Sequence, residues 1–111
     1  MTDEEYVKSQ RALAIATAQD MIAGKIGIIA GSRILSGLRF EVDVSEDDQD
    51  FLTFVGIDSE TDHLPVGQAR EYWSPEALRE KDVEVKRSED FYGQYAKEAC
   101  KNIIKRWKGL V

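Results

Sequence analysis

Hydrophobic side chains recur at helical spacing along the first part of the chain. They are three, four and seven residues apart, which places them on one face of a helix: Tyr6, Leu13, Ala14, Ala18, Met21 and Ile22. Thr2 and Glu5 have the spacing of a capping box at the start of a helix. Gly24 suits its end, because glycine accepts the left-handed backbone that stops a helix. We therefore predict a first helix from about Asp3 to Ala23.

The next stretch, Lys25 to Phe40, is apolar and carries three glycines, Gly27, Gly31 and Gly37. Its apolar positions have helical spacing, which favours a short, closely packed helix whose glycines let a neighbouring backbone approach. Glycines weaken a helix by about 1 kcal/mol each, so a strand over Ile26–Ala30 stays open as an alternative.

A third helix is predicted from about Asp48 to Ile57. Phe51, Phe54 and Val55 have helical spacing, and the acidic residues before them suit the positive end of a helix dipole. Gly56 would be a place for this helix to end early. The run 51–55 also has strand propensity, so a strand is the alternative there.

Pro65 argues against a continuous helix in the following stretch, and we predict a long irregular loop from Asp58 to Trp73. Ser74 and Pro75 then mark the start of a last helix that runs to Lys108. Such a helix would be about 50 Å long, whereas a compact domain of this size is about 35 Å across. The last helix must therefore project or bend, and Gly93 is the predicted bend.

These elements predict an all-α fold and a single helical domain over residues 1–111. The architecture is a small helical bundle of about four helices with a long irregular central loop and a long C-terminal helix. Hydrophobic residues make up 42% and charged residues 32% of the chain, which is typical of soluble globular proteins. Cys100 is the single cysteine, so no internal disulfide forms, and we predict buried core positions for Cys100, Trp107 and Tyr95, with an interface as the alternative for the two aromatic residues.

The net charge of −6 disfavours nucleic acid as a partner, because binding phosphates needs a basic face. Charged residues interrupt the most apolar region, so no membrane span is predicted. The acidic N-terminus lacks the basic and apolar segments of a signal peptide, and we expect a cytoplasmic protein.

Candidate chemistry concentrates in the central segment, around the only histidine. The candidate site residues are Asp58, Ser59, Glu60, Asp62, His63, Arg70 and Trp73. Three interpretations are open: a metal site of oxygen ligands with one histidine, general acid–base catalysis by His63 with Ser59 or Thr61 as nucleophile, and a structural loop held by polar side chains. The structural interpretation is favoured, because the spacing fits no known metal loop or nucleophile motif. We therefore assign no catalytic residue, no metal ligand and no cofactor.

Function is predicted by elimination to be non-enzymatic protein interaction. An acidic face from Glu41 to Asp62 would bind a basic protein partner. The solvated half of the last helix, between Arg79 and Asp90, would form a homodimer. The alternative is a small hydrolase or metal-dependent enzyme centred on His63 and its neighbouring carboxylates.

The segment from Phe54 to Gly67 reads FVGIDSETDHLPVG, and Arg70, Trp73 and an Ala99-Cys100 helix follow it. With these features the chain resembles a small family of uncharacterised bacterial proteins. The resemblance implies a bacterial, cytosolic and mainly helical protein, and it implies no catalytic residues. Small acidic bacterial proteins also include immunity proteins that neutralise toxins, which is an analogy from size and charge.

Overall fold

The computed structural model describes residues 3–109, and within them the fold is all-α, as predicted. Four α-helices and one 3-10 helix follow each other along this part of the chain: α1 Asp3–Ile22, α2 Ile28–Gly37, α3 Gln49–Thr61, the 3-10 helix Gly67–Tyr72 and α4 Pro75–Trp107. Residues 3–109 contain no strand, so both strand alternatives are wrong. No helix of this range is long and apolar enough to cross a membrane.

The helix ends follow the signals in the sequence. Gly24 and Gly109 have φ angles of +76° and +85°, the left-handed conformation that stops α1 and α4. The Ser74 hydroxyl accepts a hydrogen bond from the Ala77 amide and caps α4. Asp48 caps α3 by accepting from the amides of Asp50 and Phe51. The predicted cap Thr2 lies outside the described residues.

Helix α3 is longer than predicted and shortens the central loop. Gly56 does not end it, because one glycine costs only about 1 kcal/mol in a helix that tertiary packing supports. Ile57 and Thr61 continue the buried face that Phe51 and Phe54 begin. The irregular part is therefore only residues 62–66, and the 3-10 helix fills most of the remaining stretch.

Helix α4 passes through Gly93 without a break, so the predicted bend is absent. The domain measures 47 × 28 × 25 Å, and the long helix fits an elongated body. The buried residues of α4 all lie in its C-terminal half: Ala96, Ala99, Cys100, Ile103 and Trp107. Its N-terminal half contains no buried residue, although Leu78 and Val85 are half-buried, and the prediction that this half is largely solvated is consistent with the structure.

Small side chains decide which face of α1 is buried. Ala14, Ala18 and Met21 pack in the core, where α1 lies along α4. Tyr6 and Leu13 were predicted to share this stripe, yet both are exposed. The face with the alanines is the one buried against α4, because small side chains let the two helices approach closely and larger side chains would prevent it.

The glycines at and before the start of α2, Gly27 and Gly31, lie closest to side chains, whereas the prediction was close approach of a backbone; Gly37 has no atom within 4 Å of its Cβ position. A Cβ atom at Gly31 would overlap the Met21 side chain, and one at Gly27 would lie 2.7 Å from a carboxylate oxygen of Glu89. Glu89 accepts a hydrogen bond from the Ile29 amide at 3.1 Å, so a carboxylate from α4 caps the N-terminus of α2.

Cys100 is a core residue, as predicted. Its thiol lies 3.6 Å from the Met21 sulfur, and burial raises its pKa to about 12. A thiol with so high a pKa is protonated at neutral pH and is a poor nucleophile.

Ion pairs join the start of α3 to the end of α4. Arg106 donates to Asp48 at 2.6 Å and to Asp50 at 2.8 Å, and the Asn102 amide donates to Asp50 at 3.0 Å. Burial alone would raise the pKa of Asp48, but hydrogen bonds from Arg106 and from the Phe51 amide lower it below its usual value. The ionised form of Asp48 thus stabilises the folded state.

This lowered pKa predicts the direction of a pH effect. Stability from Asp48 is fully present above its unfolded pKa of about 3.9, and it is lost as pH falls through the lower folded pKa. We expect the urea midpoint to fall less between pH 7 and pH 3 in Asp48→Asn than in the wild type. Glu46→Gln, on an exposed side chain, is the control and should keep the wild-type pH dependence; equal slopes in all three proteins would contradict the prediction.

Candidate functional site

The central segment connects the end of α3 to the start of α4. Leu64 and Pro65 are buried and hold the turn at residues 62–66 against the domain. Val66 is half-buried and Trp73 is 36% exposed, whereas Tyr72 is 89% exposed. Apolar residues around the turn, together with polar contacts, therefore hold the segment.

Arg33 of α2 holds the C-terminal end of α3. Its guanidinium donates to the carbonyls of Thr61 and Leu64, the latter at 2.9 Å, and its Nε lies 3.5 Å from a carboxylate oxygen of Asp58. Carbonyls at a helix C-terminus have no partner within the helix. One arginine thus satisfies two backbone acceptors and one carboxylate.

Arg70 holds the 3-10 helix to α4. Its two terminal nitrogens donate to the two carboxylate oxygens of Asp82 at 2.6 and 3.1 Å, and one of them also lies 3.4 Å from the Pro65 carbonyl. The hydrogen bond from Arg70 lowers the pKa of Asp82 and raises that of Arg70 itself. The predicted role of Arg70, bridging acceptors with its planar fork, matches this geometry.

His63 lies at the surface and contacts α4. Its Nε2 is 2.6 Å from Glu84 Oε1, and its Nδ1 is 3.9 Å from an Asp62 oxygen. The hydrogen bond with His63 lowers the pKa of Glu84. The side chains of His63 and Glu84 are 49% and 43% exposed, so water screens this pair.

The seven candidate residues contact different parts of the domain and share no cleft. Asp58 pairs with Arg33, and Arg70 pairs with Asp82. Asp62 and His63 are neighbours at the surface, with the Asp62 side chain 75% exposed. Among residues 3–109, no group of three or more His, Cys, Asp or Glu side chains is arranged to hold a metal ion. Polar residues that each pair with a different part of the same domain are typical of a connecting segment held in place by its own side chains.

Ser59 and Glu60 belong to a different feature, a surface groove between α3 and α4. We call it the aromatic groove; it has a volume of about 340 Å³ and is lined by Leu52, Thr53, Gly56, Ile57, Ser59, Glu60, Tyr92 and Tyr95. Phe91 flanks it, with its ring 4.9 Å from that of Tyr92 and 6.2 Å from that of Tyr95. Phe91 and Tyr95 are 62% and 51% exposed.

Comparison of the chain with protein-family models, curated proteins and solved structures found no match. The resemblance to the bacterial family therefore stays a prediction, and function has to be argued from the surface of the molecule.

The aromatic groove was missed in the sequence because Tyr95 was assigned to the core. A signal was present: Phe91 and Tyr95 are four residues apart and lie towards one edge of the helix face that carries Tyr92, Ala99 and Ile103, so their rings extend beyond the face that packs in the core. Phe91 also lies outside the seven-residue stripe that runs through Tyr92 and Ala99.

Exposure of the His63 pair predicts a small stability effect. We expect His63→Gln to change the free energy of unfolding by less than about 1 kcal/mol, because exposed ion pairs contribute little and glutamine keeps a donor for Glu84. Urea unfolding measures the change, with Glu84→Gln as the matched variant. A loss above about 2 kcal/mol in either variant would mean that the pair holds the segment far more firmly than its exposure indicates.

Proposed function

We propose that this protein is a non-enzymatic interaction module that binds a partner protein through the aromatic groove. One observation carries the proposal: Phe91 and Tyr95 are largely exposed beside an apolar groove. Tyrosine and phenylalanine are enriched at protein interfaces, where their rings bury large areas at low entropic cost.

Gly56 supports the same surface. Glycine inside a helix costs about 1 kcal/mol relative to alanine, and no atom of the chain would lie within 4 Å of a Cβ atom at this position. The packing of the protein itself therefore does not require glycine here. A partner that closes on the floor of the groove would require it.

Charge supports a basic partner. Three carboxylates of the predicted acidic face are neutralised internally, since Asp48 and Asp50 bind Arg106 and Asp58 binds Arg33. The carboxylates left for a partner are those whose side chains form no ion pair with an arginine or lysine of the described chain: Glu41, Asp43, Glu46, Asp47, Glu60 and Asp62. Of these, Glu60 lines the aromatic groove.

The rival, an enzyme centred on His63, has less support. The Nε2 of His63 contacts Glu84, and the Thr61 hydroxyl donates to the Ile57 carbonyl at 2.6 Å inside α3. Neither group is therefore placed for proton transfer between them. A homodimer through α4 is a further possibility for the same aromatic face, and light scattering over a range of concentrations tests it.

Site-specific photo-cross-linking tests the proposal in cells of the source organism. A photoreactive phenylalanine analogue at Tyr95 or at Leu52 is expected to give the same discrete adduct, because both positions line the aromatic groove. The matched control is Ala16, which is exposed on α1. Equal adducts from Ala16, or none from the two groove positions, would contradict the proposal.

A further inference from the structure

We infer that the occupant of the aromatic groove is an amphipathic helix whose apolar face is flanked by lysine or arginine. The inference rests on the proposed function and names the chemistry of the partner. It follows from the shape of the groove, from the charges beside it and from the like charge of a second copy.

Shape favours a helix. The walls of the groove are α3 and α4, whose backbone groups are bonded within each helix, and residues 3–109 contain no strand edge for an extended peptide to join. Aromatic rings stand on the α4 wall, whereas Leu52 and Gly56 form the α3 wall. A helix laid between two helices packs its ridge of side chains into such a groove, and a glycine on one wall permits close approach.

Charge favours a basic helix. No lysine or arginine occurs in α3. Glu60 lines the groove, and Glu98 is exposed on α4 one turn after Tyr95, on the same face. Neither carboxylate forms an ion pair with the described part of the chain. Of the basic residues of α4 near the groove, Arg87 lies one turn before Phe91 and Lys101 lies one turn after Glu98, and neither forms an ion pair with Glu60 or Glu98.

The same charges disfavour a second copy as occupant. Each copy would bring its own Glu60 and Glu98 and a net charge of −6 to the contact. Like charges placed opposite each other across an interface cost binding free energy. A partner with basic flanks gains attraction at both positions.

Designed peptides provide the probe. The first is an amphipathic peptide of leucine, alanine and lysine, about 18 residues or 27 Å of helix long. The second replaces every lysine with glutamate, and the third keeps the lysines but scrambles the leucines. By calorimetry, we expect the first to bind at least tenfold more tightly than either control. Equal affinity of the scrambled peptide would overturn the inference, because it would mean that charge alone drives binding.

Charge-reversal variants locate the contact. Glu60→Lys with Glu98→Lys is expected to weaken binding of the lysine peptide by roughly threefold to tenfold and to strengthen binding of the glutamate peptide. Glu71→Lys with Glu80→Lys changes net charge equally at exposed positions that do not line the groove and should alter affinity less than twofold. An equal loss from both pairs would overturn the assignment to the groove.

Gly56→Leu tests the groove without changing charge. It should reduce affinity for the lysine peptide more than tenfold, whereas Gly93→Leu should not, because Gly93 lies on another side of α4. Circular dichroism verifies that both variants fold.

The two proposals fail separately. A groove-specific cross-link together with no binding of the lysine peptide would leave the interaction module standing and overturn the basic helix. A cross-link between two copies, with dimeric mass in light scattering, would also overturn it.

Discussion

Replacing Arg33 with methionine is expected to lower the free energy of unfolding by about 2–4 kcal/mol. Arg33 donates to the carbonyls of Thr61 and Leu64, and methionine fills similar space with no donor. Hydrogen bonds from charged groups contribute about 1.5–3 kcal/mol, and loss of the bond to the Leu64 carbonyl adds to the cost, whereas the Thr61 carbonyl keeps the bond from the Leu64 amide. The end of α3 and the turn after it would lose their connection to α2.

Asp58→Asn separates the ion pair from the carbonyl contacts. The carboxylate lies 3.5 Å from Arg33 Nε and is partly exposed, so we expect a loss of less than about 1 kcal/mol. The loss of unfolding free energy in Arg33→Lys should lie between those of Asp58→Asn and Arg33→Met, because a single ammonium group cannot reproduce the planar fork. Urea unfolding measures all three variants. If Asp58→Asn cost as much as Arg33→Met, the ion pair and not the backbone contact would hold the segment.

Gly31→Ala is expected to destabilise the protein by a net amount of about 1–2 kcal/mol. Alanine improves helix propensity by up to about 1 kcal/mol, but its methyl group would overlap the Cγ and Sδ atoms of Met21. Met21 is itself buried among α1, α2 and α4 and has little room to move. Overpacking of this kind typically costs about 1–3 kcal/mol.

Two controls isolate the overlap. Gly37→Ala, in the same helix, meets no atom within 4 Å and should be neutral or stabilising. In a Met21→Ala background, Gly31→Ala should cost clearly less, because the overlapping atoms are gone. Additive losses of stability in this double-mutant cycle would show that overlap with Met21 does not cause the destabilisation in Gly31→Ala.

Much of the fold could be predicted because its signals are local. The cap at Ser74, the stops at Gly24 and Gly109 and the caps and spacing of α3 depend on residues close in sequence. The structural role of Arg70 could be predicted as well, since its planar fork matches the geometry of nearby carboxylates and carbonyls. Its partner Asp82 could not, because the pairing depends on how α4 lies against the 3-10 helix.

Predictions from the sequence were wrong where the local pattern allowed two structures equally well. Gly56 was a plausible helix end, yet α3 continues because Ile57 and Thr61 find buried positions four residues apart. Tyr95 and Tyr6 were placed in the core, yet the small residues beside them on the same helices, Ala14, Ala18, Ala96 and Ala99, take the buried positions and let the helices pack closely. Both outcomes depend on which neighbour occupies the space, and the sequence of one helix does not contain that information.

The sequence by itself determined the helices, most of their ends, the acidic charge and the single reduced cysteine, because backbone propensity, capping and composition act over a few residues. Only the tertiary structure decided what the central segment contacts. It placed Arg33, Asp82 and Glu84 around that segment, from 12 to 31 residues away in sequence, and turned a concentration of reactive side chains into a connector. It also exposed the aromatic groove, because a surface between two helices exists only once they have packed.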